Sequence, residues 1–482
     1  MNVILIVADT FRYDYIGANG NPWIKTPSLD RLASESAVFD RAYTASFPTI
    51  PNRTDLMTGR YGEPLHPWAP LSWDALTLPE ILAGHGYVTM LIHDTPHLVN
   101  YGFGFDRPFH GWEFIRGNEV DRWRTGPARS IKLPTSPGKW RFPETFYAQY
   151  LRNVAGRQHE RDYFAPRVMR AAMNWLEENR DHDRFFLWID SFDPHEPWDP
   201  PRHYVEMYDP EYDGPEVTYP RHGPDDFLTP EERKHCKALY AAEVTMVDRW
   251  VGLLLDHLAA IGLADDTLVI FTADHGAAVG DHGQQWKSAP LYEEIARIPL
   301  MIRHPQGVGK GMRTAALVQP PDLMPTILSA LGLEVPREVQ GRSLWPLITA
   351  ERDRVRDLAV AGPSPLPRAP GLPPVPSPLS VTDGEWSLIA GPDRSRWQLY
   401  DLRHDPGQLR NVVAAQPEVA TRLFEGLLSF LEEHEAPPEV VAMYREGVEP
   451  PPVDPASLSA ALQARLRRGL SPSGYIHTPV QQ

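Results

Sequence analysis

Two aspartates stand where buried strands should end. Asp9 follows the apolar run Ile4–Ala8 (ILIVA), and Asp274 follows Val269–Ala273 (VIFTA). In open α/β sheets ligands bind beyond the carboxyl ends of the strands, so both carboxylates are expected to face one crevice. Two carboxylates that close repel each other unless a cation lies between them. His275 adds an imidazole beside Asp274. Oxygen ligands with one imidazole suit one divalent metal ion, Ca²⁺, Mg²⁺ or Mn²⁺, with Zn²⁺ also compatible. Taken singly, either aspartate could equally cap a strand end or a turn.

The segment Phe47–Arg60 (FPTIPNRTDLMTGR) supplies a hydroxyl. Thr49 has N-cap chemistry, Pro51 falls in the first turn, and Arg53–Gly59 continues as helix. A helix N-terminus favours negative charge. A threonine hydroxyl there, on a metal and facing Arg53, could ionise and attack an ester. A lone T-x-P-x-R would otherwise describe a capped surface helix with an incidental arginine.

The elements that must position these groups are legible as apolar runs. Asn2–Ala8, Val88–Ile92, Phe185–Ser191 and Thr267–Thr272 read as strands. Thr26–Ala37, Thr77–His85, Lys237–Ile261 and Asp322–Leu331 read as helices. Their alternation predicts an α/β fold, a large mostly parallel sheet sandwiched by helices. Pro363–Pro378 reads as a linker or long loop. Beyond it, Glu385–Ile389, Trp397–Leu402 and Pro417–Glu433 suggest a smaller C-terminal α+β domain. The expected division is a catalytic domain over 1–362, a linker over 363–378, an α+β subdomain over 379–444 and a peripheral tail over 445–482.

Net charge narrows the partners. The 482 residues carry 47 Lys and Arg against 63 Asp and Glu, a formal charge of −16. That balance argues against nucleic acid or an anionic membrane as the main partner. A small anionic ester would then need a local cationic site, which a bound metal supplies. No apolar stretch of about 18 residues is present, so no membrane span is expected. Met1–Val7 reads as a first strand and not as a signal peptide. The single cysteine, Cys236, permits no intrachain disulfide and points to a reducing, cytoplasmic compartment. Homo-oligomerisation is left open.

Several segments together resemble the sulfatase family of the alkaline phosphatase superfamily. Phe47–Arg60 resembles its signature, C or S, x, P, x, R, followed by a helix ending in T-G-R. Asn2–Asp9 resembles its first strand and metal loop, and Thr26–Leu32 (TPSLDRL) its T-P-N-L-D-R-L. Phe192–Pro201 (FDPHEPWDPP) resembles its H-x-P loop. Thr267–Lys287 (TLVIFTADHGAAVGDHGQQWK) resembles its second metal loop and lysine. Gly341–Leu347 and Tyr400–Asn411 resemble its later markers. The resemblance implies one divalent metal held by Asp9, Asp274 and His275, with the nucleophile at position 49 on the same ion. It implies that Arg53 steadies the nucleophile, that His195 and Lys287 bind the anionic head of the substrate, and that His97 assists the leaving group or intermediate.

Three positions depart from the family pattern. Sulfatases carry a cysteine or serine that is converted to formylglycine, and Thr49 has no such conversion. Position 10, often a second aspartate, is Thr10. The K-x-H motif is present as Thr95-Pro96-His97, without its lysine. Formylglycine hydrate ejects sulfate by collapsing to an aldehyde. Threonine lacks that route, whereas a phospho-threonine is cleared by in-line attack of water. The expectation is therefore a one-metal hydrolase of phosphate mono- or diesters or phosphonate esters. The alternatives are sulfuric ester hydrolysis, or a catalytically silent sulfatase-like binding protein. His66, His93, His282, Trp198 and Cys236 are expected to be structural.

Overall fold

The computed structural model describes residues 1–126, 136–366, 374 and 377–447. Strands are numbered in chain order. The apolar runs become β1 (Asn2–Ala8), β6 (Phe185–Ser191) and β8 (Thr267–Ala273), buried at every residue. Burial without alternation is what a parallel strand covered on both faces requires. β1 lies between β6 and β8, and all three run parallel. β4 (Val88–His93) and β5 (Gly111–Phe114) extend this parallel set beyond β6. On the other side β12 (Leu300–Arg303) runs antiparallel to β8 and to β2 (Ala37–Tyr43). β11 (Arg297–Ile298) and β13 (Arg313–Val318) also pair with β2, completing a nine-stranded sheet.

Register places the chemistry. Ala8 pairs with Ser191 on one side and Ala273 on the other. Asp9 and Asp274 are thus the residues that leave the sheet next, side by side. Asp190 pairs with Val7, one step back on the neighbouring strand.

The helices cover both faces. Phe164–Asn179 and Pro230–Ala260 bury Val168, Leu176, Leu239, Val247 and Leu254 in the same core as β1. The second of these starts seven residues earlier than its apolar stripe suggests. Thr229 caps it by accepting from Glu232 N while Glu232 returns a bond, with Pro230 in the first turn. The stripe marks where the helix is buried; the capping box marks where it begins. Among the described residues no helix is long and apolar enough to cross a membrane.

Two smaller sheets complete the site's support. β7 (Gly223–Pro224), β10 (Gln284–Trp286) and β9 (Ala278–Val279) form one, directly after His275 and directly before Lys287. The other has the order β17 (Gln398–Asp401), β16 (Trp386–Ala390), β15 (Leu379–Thr382), β14 (Ala359–Pro363) and β3 (Ser46–Phe47). Helices Pro417–Glu433 and Pro438–Glu446 pack on it through Leu423, Leu427, Val440 and Tyr444. β3 and β14 come from ahead of the proline-rich stretch, so this sheet draws on the segment that carries Thr49. Residues 367–373, 375–376 and 448–482, within the expected linker and tail, lie outside the described residues.

Asp322 locks the second sheet to the first. It is buried and accepts from Gln319 N (2.8 Å) and Arg342 N (2.8 Å), and Arg356 forks onto both its oxygens. Arg356 lies just ahead of β14. Arg356→Ala would strand a buried carboxylate and should lower stability by about 3–5 kcal/mol, read from the denaturant midpoint. A loss below about 1 kcal/mol would show that the pair is not holding the two sheets together.

Candidate active site

Arg53 gathers three strand ends. Its side chain is fully buried, with Nε 2.8 Å from Asp190 Oδ2, Nη1 2.6 Å from Asp274 Oδ2 and Nη2 3.2 Å from Asp9 Oδ2. Burial works against its charge, and Asp190, Asp274 and Asp9 outweigh that, holding the guanidinium ionised. Asp190 also accepts from Thr95 Oγ1 (2.7 Å) and Trp188 Nε1 (3.2 Å). The sequence reading missed Asp190, although FFLWID repeats the pattern of an apolar strand ending in aspartate.

The helix Thr49–Thr58 delivers Arg53. Its N-cap is Pro48, so Thr49 is the first helical residue and not the cap. Proline carries no capping side chain, and the helix start is held instead by tertiary contacts. Asn52 Nδ2 donates to Asp274 O (3.1 Å), and the Phe47 ring lies 5.1 Å from that of His275. Thr49 precedes Arg53 by four residues, which places the two on one helix face. Its side chain is almost fully buried.

Asp9, Asp274 and His275 form a compact donor set, with ligand atoms within 4.8 Å of one another. Among the described residues this is the one such cluster of His, Cys, Asp and Glu. Asp274 Oδ1 accepts from Thr10 N (2.9 Å) and His275 N (2.8 Å). The His275 Nδ1–H donates to Gly276 O (3.0 Å). Its Nε2, buried and without a hydrogen-bond partner, is then left as a lone pair pointing at the carboxylates. Burial pushes His275 down to about 3, so the ring is neutral and able to ligate. An orphaned imidazole nitrogen beside two carboxylates fits a divalent cation.

The protein's own groups act on the two carboxylates in opposite directions. Burial and the charge of Asp274 push Asp9 well up, against Lys287 and Arg53. Asp274 is pulled below its ordinary value, since His275, Arg53, Lys287 and the Thr10 N–H outweigh burial. Thr10 bridges these groups. Its Oγ1 donates to Asp9 Oδ1 (2.7 Å) and accepts from Lys287 Nζ (3.2 Å), on a backbone at φ 61°. Lys287 Nζ also lies 3.6 Å from Asp9 Oδ1.

His195 and His97 approach along a second wall. The Phe192 ring stacks on His195 at 3.9 Å and meets His97 at 6.0 Å. The His195 Nδ1–H donates to Glu196 O (2.5 Å), leaving Nε2 as acceptor. Burial and the Lys287 charge depress His195 well below its ordinary value. His97 Nε2 is engaged by Glu119 Oε2 at 3.0 Å. Burial raises Glu119, but His97, Arg141 and Tyr219 bring it to about 2. Neither Glu119 nor Arg141 was singled out in the sequence, because each lies in a loop with no periodic signal. Asp193 faces away from this wall and accepts from Ala165 N (2.9 Å).

The remaining candidates pack as structure. His93 stacks on Phe114 at 4.9 Å, and His282 on Tyr292 at 3.8 Å. Trp198 is buried and donates to Pro194 O (3.0 Å). Burial pushes the Cys236 thiol up to about 12, so it stays protonated.

Glu196 titrates within the neutral range. Burial raises it to about 7, with Lys287 and Arg141 opposing. The folded chain therefore holds a proton that the unfolded chain has released, and stability falls as pH rises from about 4.5 through about 7. Glu196→Gln should flatten that decline by about 2–3 kcal/mol, one pKa unit being about 1.4 kcal/mol. The check is the denaturant midpoint at pH 5 and pH 8. An unchanged slope would mean that Glu196 is ionised throughout.

Comparison with known proteins identifies the family. The family profile described as Sulfatase matches residues 1–333, and that of the N-sulphoglucosamine sulphohydrolase C-terminal region matches residues 280–434. An arylsulfatase of Clostridium perfringens is 26% identical over 464 residues, covering 86% of this chain and 90% of that protein. The multifunctional alkaline phosphatase superfamily protein PehA of Trinickia caryophylli is 29% identical over 413 residues, covering 72% and 77%. The crystal structure of the phosphonate monoester hydrolase of Agrobacterium radiobacter superposes with a TM-score of 0.72 at 23% identity, over 90% of this chain and 96% of that one. With two profiles spanning the main sheet and the second sheet in order, the chain belongs to the sulfatase family of the alkaline phosphatase superfamily.

Proposed function

We propose that this protein hydrolyses a phosphate mono- or diester or a phosphonate ester, with Thr49 as nucleophile. The observation that carries the reading is the residue at position 49. An unconvertible threonine occupies the first helical position, on the face of Arg53 and beside the Asp274–His275 loop. Asp9, Asp274 and His275 would hold one divalent cation, Ca²⁺, Mg²⁺ or Mn²⁺ by their oxygen-rich chemistry, with Zn²⁺ compatible. When bound, that cation supplies positive charge that favours the ionised hydroxyl and polarises the ester.

The chain's own groups then divide the work. Thr49 Oγ attacks phosphorus, the bond to the leaving-group oxygen breaks, and that oxygen leaves with a proton. Water next attacks phosphorus in line, the bond to Thr49 Oγ breaks, and the hydroxyl regains its proton. Arg53 holds the nucleophile's helix against the strand ends. Lys287 binds a non-bridging oxygen, His195 binds another once the bound anion brings a proton onto its Nε2, and His97, held by Glu119, meets the leaving group. Alignment and fixed positive charge account for most of the rate in such transfers. A second reading, sulfuric ester hydrolysis, is favoured by the arylsulfatase relative. A sulfo-threonine would then have to be cleared without an aldehyde.

Aryl phosphate, diaryl phosphate, aryl phosphonate monoester and aryl sulfate, assayed side by side with and without chelator, separate the readings. Turnover should favour phosphorus esters, fall with chelator and drop at least 100-fold in Thr49→Ala. Dominant sulfatase turnover would falsify the reading, and no turnover by the metal-loaded protein would favour a binding role. Asp190→Asn, which weakens one of Arg53's three anchors and leaves the residues of the donor set unchanged, should lower kcat by about 10–100-fold. Metal content measured by equilibrium dialysis should stay within about threefold. A kcat equal to wild type would remove Asp190's hold on Arg53 from the mechanism.

A further inference from the structure

A second cationic site stands on the same rim of the main sheet. A cavity of about 330 Å³ is lined by Arg124, Arg157, Arg161, Arg167 and Arg170, with Asp162 as its acid. Five arginines around one cavity run against a chain of net charge −16. Asp162 is committed elsewhere, accepting from Gln158 N and His159 N at 2.9 Å each. Arg157 pairs with Asp199 at 2.9 Å. Among the described residues Arg124, Arg161 and Arg170 form no ion pair. Like charges held this close destabilise the fold unless a counter-charge joins them.

Aromatic faces hold the guanidinium groups where carboxylates do not. The Arg124 guanidinium carbon lies 4.4 Å from the Trp123 ring centre, and that of Arg157 lies 4.6 Å from Phe164. Arg167 lies within 5.8 Å of both rings. Stacking fixes the plane of an arginine and leaves its N–H edge for a planar or tetrahedral anion. Burial, and then the charges of Arg157 and Arg124, depress Arg167 despite Asp94. The cavity opens at the first turn of the 16-residue helix Phe164–Asn179, whose dipole adds positive potential.

Both walls lead back to the catalytic groups. Ala165 N, in that first turn, donates to Asp193, two residues before His195. Asn153, on the opposite wall, donates to Gly117 O (2.9 Å) and Asp121 O (2.7 Å), bracketing the Glu119 that engages His97.

We propose that this arginine-lined cavity binds a phosphate or sulfate group, supplied either by a free ion or by a second charged group of the substrate. Its guanidinium edges form charge-assisted hydrogen bonds to the tetrahedral oxygens, and its volume admits such a group with a small organic body. The site shares no side chain with the Asp9–His275 cluster, so it does not depend on how Thr49 acts.

The test is equilibrium dialysis of metal-loaded protein against inorganic phosphate. It compares wild type with a variant carrying Arg124→Gln, Arg161→Gln and Arg170→Gln, all exposed positions. The variant should lose one phosphate site, weakened at least tenfold, with a melting temperature no lower than that of wild type. The corresponding Arg→Lys triple variant should keep most of the affinity. Steady-state assays with an aryl phosphate and with the same compound bearing a second phosphate identify the source. A rise in KM confined to the doubly charged compound assigns the group to the substrate. Unchanged KM values with lost phosphate binding assign it to a free ion. Equal phosphate binding and equal KM values in wild type and Gln variant would overturn the proposal. The dialysis needs no turnover, so its outcome is separable from that of the Thr49 panel.

Discussion

The structure turns on one buried guanidinium shared among three strands. Arg53 reaches Asp9 after β1, Asp190 at the end of β6 and Asp274 after β8. Removing that many charges from water is costly, and mutual attraction offsets the cost only where geometry and hydrogen bonds are complete. The forked, planar head of arginine holds separate N–H groups in fixed directions toward three carboxylates, where a lysine offers only a single compact charge. Arg53 and Lys287 bring two positive charges to three carboxylates, leaving one negative charge in surplus. Burial, and then the charge of Asp274, raise Asp9. A divalent cation would turn that surplus into a single positive charge, the sign that an anionic ester needs.

That arrangement constrains elements far from it. The helix Thr49–Thr58 starts without a side-chain cap, so its first turn depends on what holds it from either side. On one side stand Asn52 and Arg53, bound to the Asp274 loop. On the other stands β3, whose Ser46 and Phe47 pair with Gly362 and Pro363 of β14. The Ser46 N–H and hydroxyl both donate to buried Asp55, at 2.8 and 2.6 Å, closing the strand onto the helix it precedes. The C-terminal sheet therefore positions the residue at 49, although that residue lies more than 300 positions away in the chain. A similar economy places Lys287. The short β9–β10 hairpin turns through Gly280 at φ 85° and Gly283 at φ 65°, returning the chain to Thr10 and Asp9.

How much of this is legible in the sequence follows from what each residue depends on. β1, β6 and β8 are continuous apolar runs, and a parallel strand buried on both faces has few other ways to be written. Asp9, Asp274 and His275 follow such runs directly, so their meeting needs only that the strands be neighbours. Asp190 carries the same mark inside its run and was passed over, because one position back in register is invisible without the pairing. Capping chemistry marks a helix start at Thr229 and Glu232, but the apolar stripe that begins at Lys237 drew the expected start seven residues too late. The mark misled at Thr49, where a residue with good capping chemistry stands one place inside the helix. The link of His97 to Glu119 and of Arg53 to Asp190 joins segments 22 and 137 residues apart, with no periodicity to announce either.

Position 49 shows why a fold can fix the anion site without fixing the reaction. The groups that bind a transferring tetrahedral anion respond to charge and shape, and sulfate and phosphate esters share both. Their difference lies in how the covalent intermediate is released. A β-branched threonine at the start of a helix is stiff about χ1, which favours a defined attack direction. The same side chain offers no second oxygen through which the group could be expelled. On the proposed reading, release then comes from water attacking the central atom in line, on the side opposite Thr49. Phosphorus accepts such attack more readily than a sulfuryl group held by an alkyl oxygen. The choice between the two esters thus rests on one side chain and on access for one water. On the same reading the rest of the site, from Arg53 to Lys287, would serve either.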